Sequence, residues 1–145
     1  MTIPNGDSDP EIILIEDNKA EADLLIHCMR KEGMSGGLLH FDDGQKALEW
    51  IMADRPHRRP RLIILDINMP RLNGIEILHR IRQNPISRTL PVVMLTSSKE
   101  PRDIQASYDL GTNAYVVKPI NFDDFAVAVR QLGVFWGNLN QPPAA

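Results

Sequence analysis

The chain has 145 residues, 24 % of them charged, and a formal net charge of -3, an ordinary soluble composition without the basic footprint of a nucleic-acid binder. At this length it makes one domain, able to bury roughly 70 % of its unfolded surface and to fold without staples. A single cysteine, Cys28, excludes an internal disulfide, and no apolar run approaches the ~20 residues that cross a bilayer.

Met1 to Pro10 is polar, carries neither the basic nor the apolar part of a signal peptide, and is expected to be disordered. The expected location is cytoplasmic, with proteins or small anions as partners and neither nucleic acid nor membrane. Glu11-Ile12-Ile13-Leu14-Ile15-Glu16-Asp17 is a short β-branched run that stops on carboxylates, the pattern of a buried strand. Asn18 can cap the helix that follows, in which Ala22, Leu25 and Met29 recur at helical spacing up to a glycine stop at Gly33. Cys28 falls beside Leu24, Leu25 and Met29 and reads as a packed core thiol.

Gly36 to Phe41 reads as a weaker strand at a sheet edge, and Asp42-Asp43-Gly44 opens a helix whose stripe is Ala47, Leu48, Ile51 and Met52. The basic loop Asp54 to Arg61 reads as solvated surface, with the alternative that it steers an acidic partner. Arg61 to Asp66 is the most telling stretch: a Leu/Ile run too short for a helix, bounded by Pro60 and Pro70, that ends on Asp66. In an open parallel α/β sheet, ligands bind outside the carboxyl ends of the strands, so a carboxylate there is placed for chemistry. The same Asp-x-Asn-x-Pro is also good turn chemistry.

Gly74 to Gln83 carries Ile77, Leu78 and Ile81 on one side and predicts a third helix, ended by Asn84 and Pro85. Leu90 to Thr96 predicts another buried strand; Pro101 to Leu110 a short helix with Ile104 and Tyr108 four apart, closed by Gly111; and Ala114 to Pro119 a fifth strand ending at Lys118. Asn121 can cap a last helix bearing Phe122, Phe125, Ala126, Val129 and Leu132. The expected division is a disordered segment 1–10, a domain 11–134, and a tail 135–145 containing Phe135, Trp136 and Leu139.

Strand and helix alternate five times, which predicts a flavodoxin-like α/β fold with a five-stranded parallel sheet, five helices and right-handed crossovers. The edge-like second strand favours the order 2-1-3-4-5, with the switch point between strands one and three. That sheet gathers Glu16, Asp17, Asp66, Thr96 and Lys118 at its carboxyl edge. Crowded carboxylates repel unless a cation is present, and hard oxygen ligands suit Mg²⁺. A lysine and a strand-end hydroxyl opposite suit a tetrahedral anion on Asp66, a phosphoryl group. His27, His40, His57 and His79 lie scattered, which gives no support to a hydrolytic triad or a histidine-rich zinc site.

The acidic pair after strand one, Asp66-x-x-Met69-Pro70 with Gly74 following, Thr96-Ser97, and Tyr115-Val116-Val117-Lys118-Pro119 together resemble the receiver domain of two-component response regulators over Glu11 to Leu132. The resemblance implies that Asp66 is the phosphoacceptor for a sensor histidine kinase. It also implies that Asp17, Asp66 and the Asn68 backbone carbonyl bind Mg²⁺, with Glu16 acting through water. Lys118 would pair with the phosphate, the Thr96 hydroxyl would move to bond it, and Tyr115 would turn inward to bias the face of helix four, strand five and helix five. The Lys118-Pro119 bond is expected cis. With only a short segment after the last helix, a single-domain regulator is expected, acting on an unknown downstream protein. The apolar ending resembles regulators that partner bacterial phytochrome kinases, with a homodimer through helix four, strand five, helix five and the tail; alternatively Phe135 and Trp136 only cover the last helix. Two other classes compete. One is an aspartyl-phosphate phosphatase like the haloacid dehalogenases, which carry a second acid where this chain has Asn68; the other is a receiver-like scaffold that needs no phosphorylation.

Overall fold

The computed structural model describes residues 10–31, 37–53 and 59–143. The segment before Pro10, the stop at Gly33, the start at Gly36 and the basic residues 54–58 lie outside the described residues. Five parallel strands, β1 (Pro10–Ile15), β2 (Gly37–Phe41), β3 (Leu62–Leu65), β4 (Val92–Thr96) and β5 (Ala114–Val117), pair in the order β2-β1-β3-β4-β5. Between and after them run α1 (Lys19–Lys31), α2 (Gly44–Met52), α3 (Gly74–Gln83), α4 (Pro101–Asp109) and α5 (Phe122–Val134). This is the flavodoxin-like architecture expected from the sequence. No helix among the described residues is long and apolar enough to cross a membrane.

Alternation along the strands splits the core in two. Ile13, Ile15, Ile63, Leu65, Val92 and Met94 face one side and pack with Leu48, Ile77, Leu78 and Ile81 of α2 and α3. Ile12, Leu14, Leu62, Ile64, Val93 and Leu95 face the other and pack with Leu25 and Met29 of α1 and Phe125, Val129 and Leu132 of α5. Because β1, β3 and β4 are covered on both faces, every residue from Leu62 to Leu65 is buried, which is why the run reads as continuously apolar. Registers Ile12↔Leu62 and Ile63↔Val92 bring the strand ends into line at one edge.

Helix starts follow the capping residues. Asn18 Oδ1 accepts the Glu21 N–H, Asn73 Oδ1 that of Glu76, and Asn121 Oδ1 those of Asp123 and Asp124. The Asp43 carboxylate accepts from Gln45 and Lys46, and these backbone donors hold it below its ordinary range.

Two expectations about exposure change. α4 turns Ser107 inward and leaves Tyr108 half exposed, so Tyr108 is a surface residue rather than part of an apolar stripe. Phe122, at the first turn of α5, is also exposed, because the buried phase is set by Phe125, Val129 and Leu132. Within the expected tail, residues Phe135–Leu139 continue α5 as a wider π turn, closed by the Asn140 N–H donating to Phe135 O. Trp136 packs on the second core and meets Phe135 edge to face at 5.0 Å, while Arg61 Nη2 donates to Asn140 O at 2.8 Å. The turn is thereby tied to the entry of β3.

Candidate functional site

Three of the predicted site residues, Glu16, Asp66 and Lys118, stand one step past β1, β3 and β5, and the sheet's own hydrogen bonding fixes them. The Glu16 N–H donates to Phe41 O, the Asp66 N–H to Ile15 O, and the Lys118 N–H to Thr96 O, so the ladder extends one residue beyond β1, β3 and β5. Each backbone is then rigid where its side chain enters the crevice. Gly74 holds the following loop tight: its N–H donates to Ile67 O, and a Cβ there would overlap the Asp66 carbonyl oxygen.

Inside this edge the Lys118 ammonium meets Glu16 Oε1 at 2.6 Å, Glu21 Oε2 at 2.7 Å and Asp66 Oδ2 at 3.5 Å. Glu16 and Asp66 are buried. Burial, with the Asp66 charge adding to it and Lys118 pulling the other way, pushes the Glu16 carboxyl above the usual carboxylate range. Burial pushes the Glu21 carboxyl up, but the hydrogen bond and charge of Lys118, with a hydrogen bond to Glu16, together hold it below its ordinary value, and both carboxylates hold Lys118 high against its own burial. Asp66 Oδ1 is buried without a hydrogen-bond partner among the described residues. Among the described residues, Glu16, Glu21 and Asp66 offer carboxylate oxygens all within 4.8 Å of one another. Lys118 already stands among these three carboxylates, so the hard oxygen left open for a divalent cation is Asp66 Oδ1.

The structure brings Glu16, Asp66 and Lys118 together as the sequence predicts, but its third carboxylate is Glu21 of α1. Asp17 is half-buried and stands outside this cluster, because the Asn18 cap begins α1 directly after it and turns Glu21 toward the crevice. A signal for Glu21 was present: it lies on the stripe of Leu25 and Cys28, at i+4 and i+7, at the helix end nearest the strand ends. Also unforeseen is His40, buried in β2, whose Nε2 lies 2.7 Å from Glu16 O; a carbonyl only accepts, so this nitrogen carries the proton and braces the Glu16 backbone.

Thr96 is fully buried at the end of β4, its Oγ1 accepting from the Ser98 N–H at 3.3 Å. Tyr115 is half-buried against the first core, and its hydroxyl donates to Ser98 O at 2.9 Å. Burial, with lesser contributions from the Asp103 and Asp66 charges, raises its phenol against that hydrogen bond. Asn68 is exposed in the loop after β3. The Lys118-Pro119 bond, expected cis, is trans, the lower-energy isomer of an X-Pro bond.

Residues 12–130 match the response regulator receiver domain. The chain belongs to this family. Among curated receivers and their relatives, the response regulator Rcp1 of Synechocystis is 35 % identical over 137 residues, covering 92 % of this chain and 93 % of Rcp1. The probable methanogenesis regulatory protein FilR2 of Methanothrix harundinacea is 33 % identical over 134 residues, covering 91 % and 86 %. Among solved receivers, the phosphorylated cyanobacterial phytochrome response regulator RcpA superposes with a TM-score of 0.86 at 31 % identity, covering 94 % of this chain and all of RcpA. The Mn²⁺-bound form of Rcp1 superposes with a TM-score of 0.84 at 34 % identity, covering 92 % and 98 %.

Proposed function

We propose that this receiver is a phosphorylation-dependent signalling switch in which Asp66 accepts a phosphoryl group from a sensor histidine kinase. The observation that carries this reading is the placement of Asp66: buried at the switch point of the sheet, its Oδ1 without a partner and Lys118 beside its Oδ2. An Asp66 carboxylate oxygen attacks phosphorus, the P–O bond forms as the P–N bond of the donor phosphohistidine breaks, and the imidazole nitrogen leaves with the electron pair. Lys118 supplies a fixed positive charge for the phosphoryl oxygens, and the Thr96 hydroxyl a hydrogen bond. Tyr115 then moves into the space beside Thr96 and biases the face of α4, β5 and α5.

Asp17, Asp66 and the Asn68 carbonyl would hold Mg²⁺, with Glu16 acting through water. A bound Mg²⁺ screens the charge of the incoming phosphoryl group. The Mn²⁺-bound form of Rcp1 and the open Oδ1 of Asp66 support a divalent metal here.

The kinase partner we infer is a phytochrome, supported by the likeness to RcpA along nearly the whole chain. The assembly we infer is a homodimer through α4, β5, α5 and the π turn, in a cytoplasmic protein that hands its signal to another protein. Val134, Phe135 and Leu139 support it, being 45 %, 48 % and 71 % exposed where an apolar patch favours a partner. Light scattering on the full chain at tens of micromolar, with and without phosphorylation, tests the dimer; a monomer in both conditions rejects it. Asparagine at position 68 disfavours a phosphatase of the haloacid dehalogenase kind, and a bare scaffold has no chemical need for Asp66, Thr96 and Lys118 together. Phosphoryl uptake from a small donor, read by intact mass, tests the central assignment.

A further inference from the structure

We propose that Glu21 is a positioning residue that competes with a phosphoryl group on Asp66 for the Lys118 ammonium, and so sets how readily the receiver enters its phosphorylated state. The inference rests on the phosphoacceptor reading of Asp66. An ammonium has three N–H donors, and here three carboxylates stand around it: Glu16 at 2.6 Å, Glu21 at 2.7 Å and Asp66 at 3.5 Å. The lysine is therefore saturated before any phosphoryl group arrives, and its weakest contact is to the residue that will carry the phosphate. For Lys118 to reach a phosphoryl oxygen, one of the short contacts has to yield.

The three carboxylates are not equivalent. Glu16 is 5 % exposed as a side chain and has no solvent to turn to, whereas Glu21 is 44 % exposed while Lys118 is 8 %. Glu21 is thus the partner that can rotate into water when the ammonium leaves it. Its bond to Lys118 exists in the unphosphorylated state and is given up in the phosphorylated one, so it contributes only to the former and biases the equilibrium against phosphorylation. The helix cap makes this bias structural: Asn18 Oδ1 holds the Glu21 N–H at 3.0 Å, which sets the first turn of α1 against the crevice and leaves only side-chain torsions to be changed.

The test uses the full chain with Mg²⁺ at saturation and the phosphoryl analogue beryllofluoride, its affinity measured by calorimetry. Two variants separate contact from charge. Glu21→Gln removes both the charge and the ion pair, while Glu21→Asp keeps the charge on a side chain one methylene too short to reach Lys118. Both are expected to bind beryllofluoride more tightly than wild type by about three- to tenfold, the scale of one charge-assisted hydrogen bond discounted for partial exposure. Tightening by Glu21→Gln alone would mean that Glu21 acts as a distant repulsive charge, and overturns the proposal. Unchanged or weaker binding by both overturns it too, and a fall in melting temperature without tighter binding would mark Glu21 as merely structural. Wild type that fails to bind beryllofluoride would instead reject the phosphoacceptor reading of Asp66 itself.

Discussion

Lys118 Nζ lies 2.6 Å from Glu16 Oε1, across 102 positions of sequence, with the two side chains only 8 % and 5 % exposed. This pair closes the sheet edge from β5 to β1 over the tops of β4 and β3, and its lysine is a positive charge shared among the crevice's carboxylates. Lys118→Ala leaves buried carboxylates facing one another and is expected to cost roughly 3 kcal/mol of stability in EDTA. Mg²⁺ at tenfold its dissociation constant should return about 1.4 kcal/mol of that. Urea unfolding of wild type and variant, each with EDTA and with Mg²⁺, measures both numbers. Equal midpoints in EDTA, or no recovery with saturating metal, would contradict the assignment.

Gly74 fixes where Asp66 points. A Cβ at this position would lie 2.8 Å from both the Asp66 carbonyl carbon and Ile67 Cα, atoms of the backbone that no side-chain rotation moves aside. Gly74→Ala is therefore expected to destabilise by roughly 2 kcal/mol or more and to displace Asp66. Phosphoryl uptake should slow by about tenfold or more, since small misplacements of a nucleophile are expensive. Circular-dichroism melts and a time course of intact mass check the two effects; wild-type kinetics in a folded Gly74→Ala variant would show that the loop geometry is not limiting.

Arg82 performs a comparable task for the α4 side of the molecule. Its guanidinium donates from Nε to Gly111 O, from Nη1 to the carbonyls of Arg88 and Leu90, and from Nη2 to Asn113 Oδ1. Gly111, at φ 90, folds the chain over this side chain between α4 and β5. Arg82→Ala should cost roughly 2–4 kcal/mol by leaving these acceptors short of donors. Arg82→Lys should recover less than half, because an ammonium lacks the planar fork. Urea midpoints of the three proteins decide it, and full recovery by lysine would reduce Arg82 to a simple charge.

The periodicities of two and of 3.6 residues made the strands, the helices and their order legible, because Ile63, Ile64, Leu78 and Val129 are buried for reasons local to their own segments. Asp66, Glu16 and Lys118 were legible too, since each terminates an apolar run and the topology carries such ends to one edge. Glu21 was not read because it sits on a helix, and its role depends on the phase at which Asn18 starts α1. Arg82 and His40 escaped for another reason: most of their partners are backbone carbonyls, and a carbonyl leaves no mark in a sequence. The π turn at Phe135–Leu139 depends on Trp136 finding the second core and on Asn140 meeting Arg61, contacts that only the folded chain creates.

The most direct measurement is the intact mass of wild type and Asp66→Asn after incubation with a small phosphodonor and Mg²⁺. The amide keeps the shape of the side chain and loses the nucleophilic oxygen. Wild type should gain the mass of one phosphoryl group, lost again on treatment with hydroxylamine, while Asp66→Asn, folded by circular dichroism, should gain none. Uptake by Asp66→Asn equal to that of wild type, or no uptake by either protein at saturating donor and metal, would contradict the assignment of Asp66.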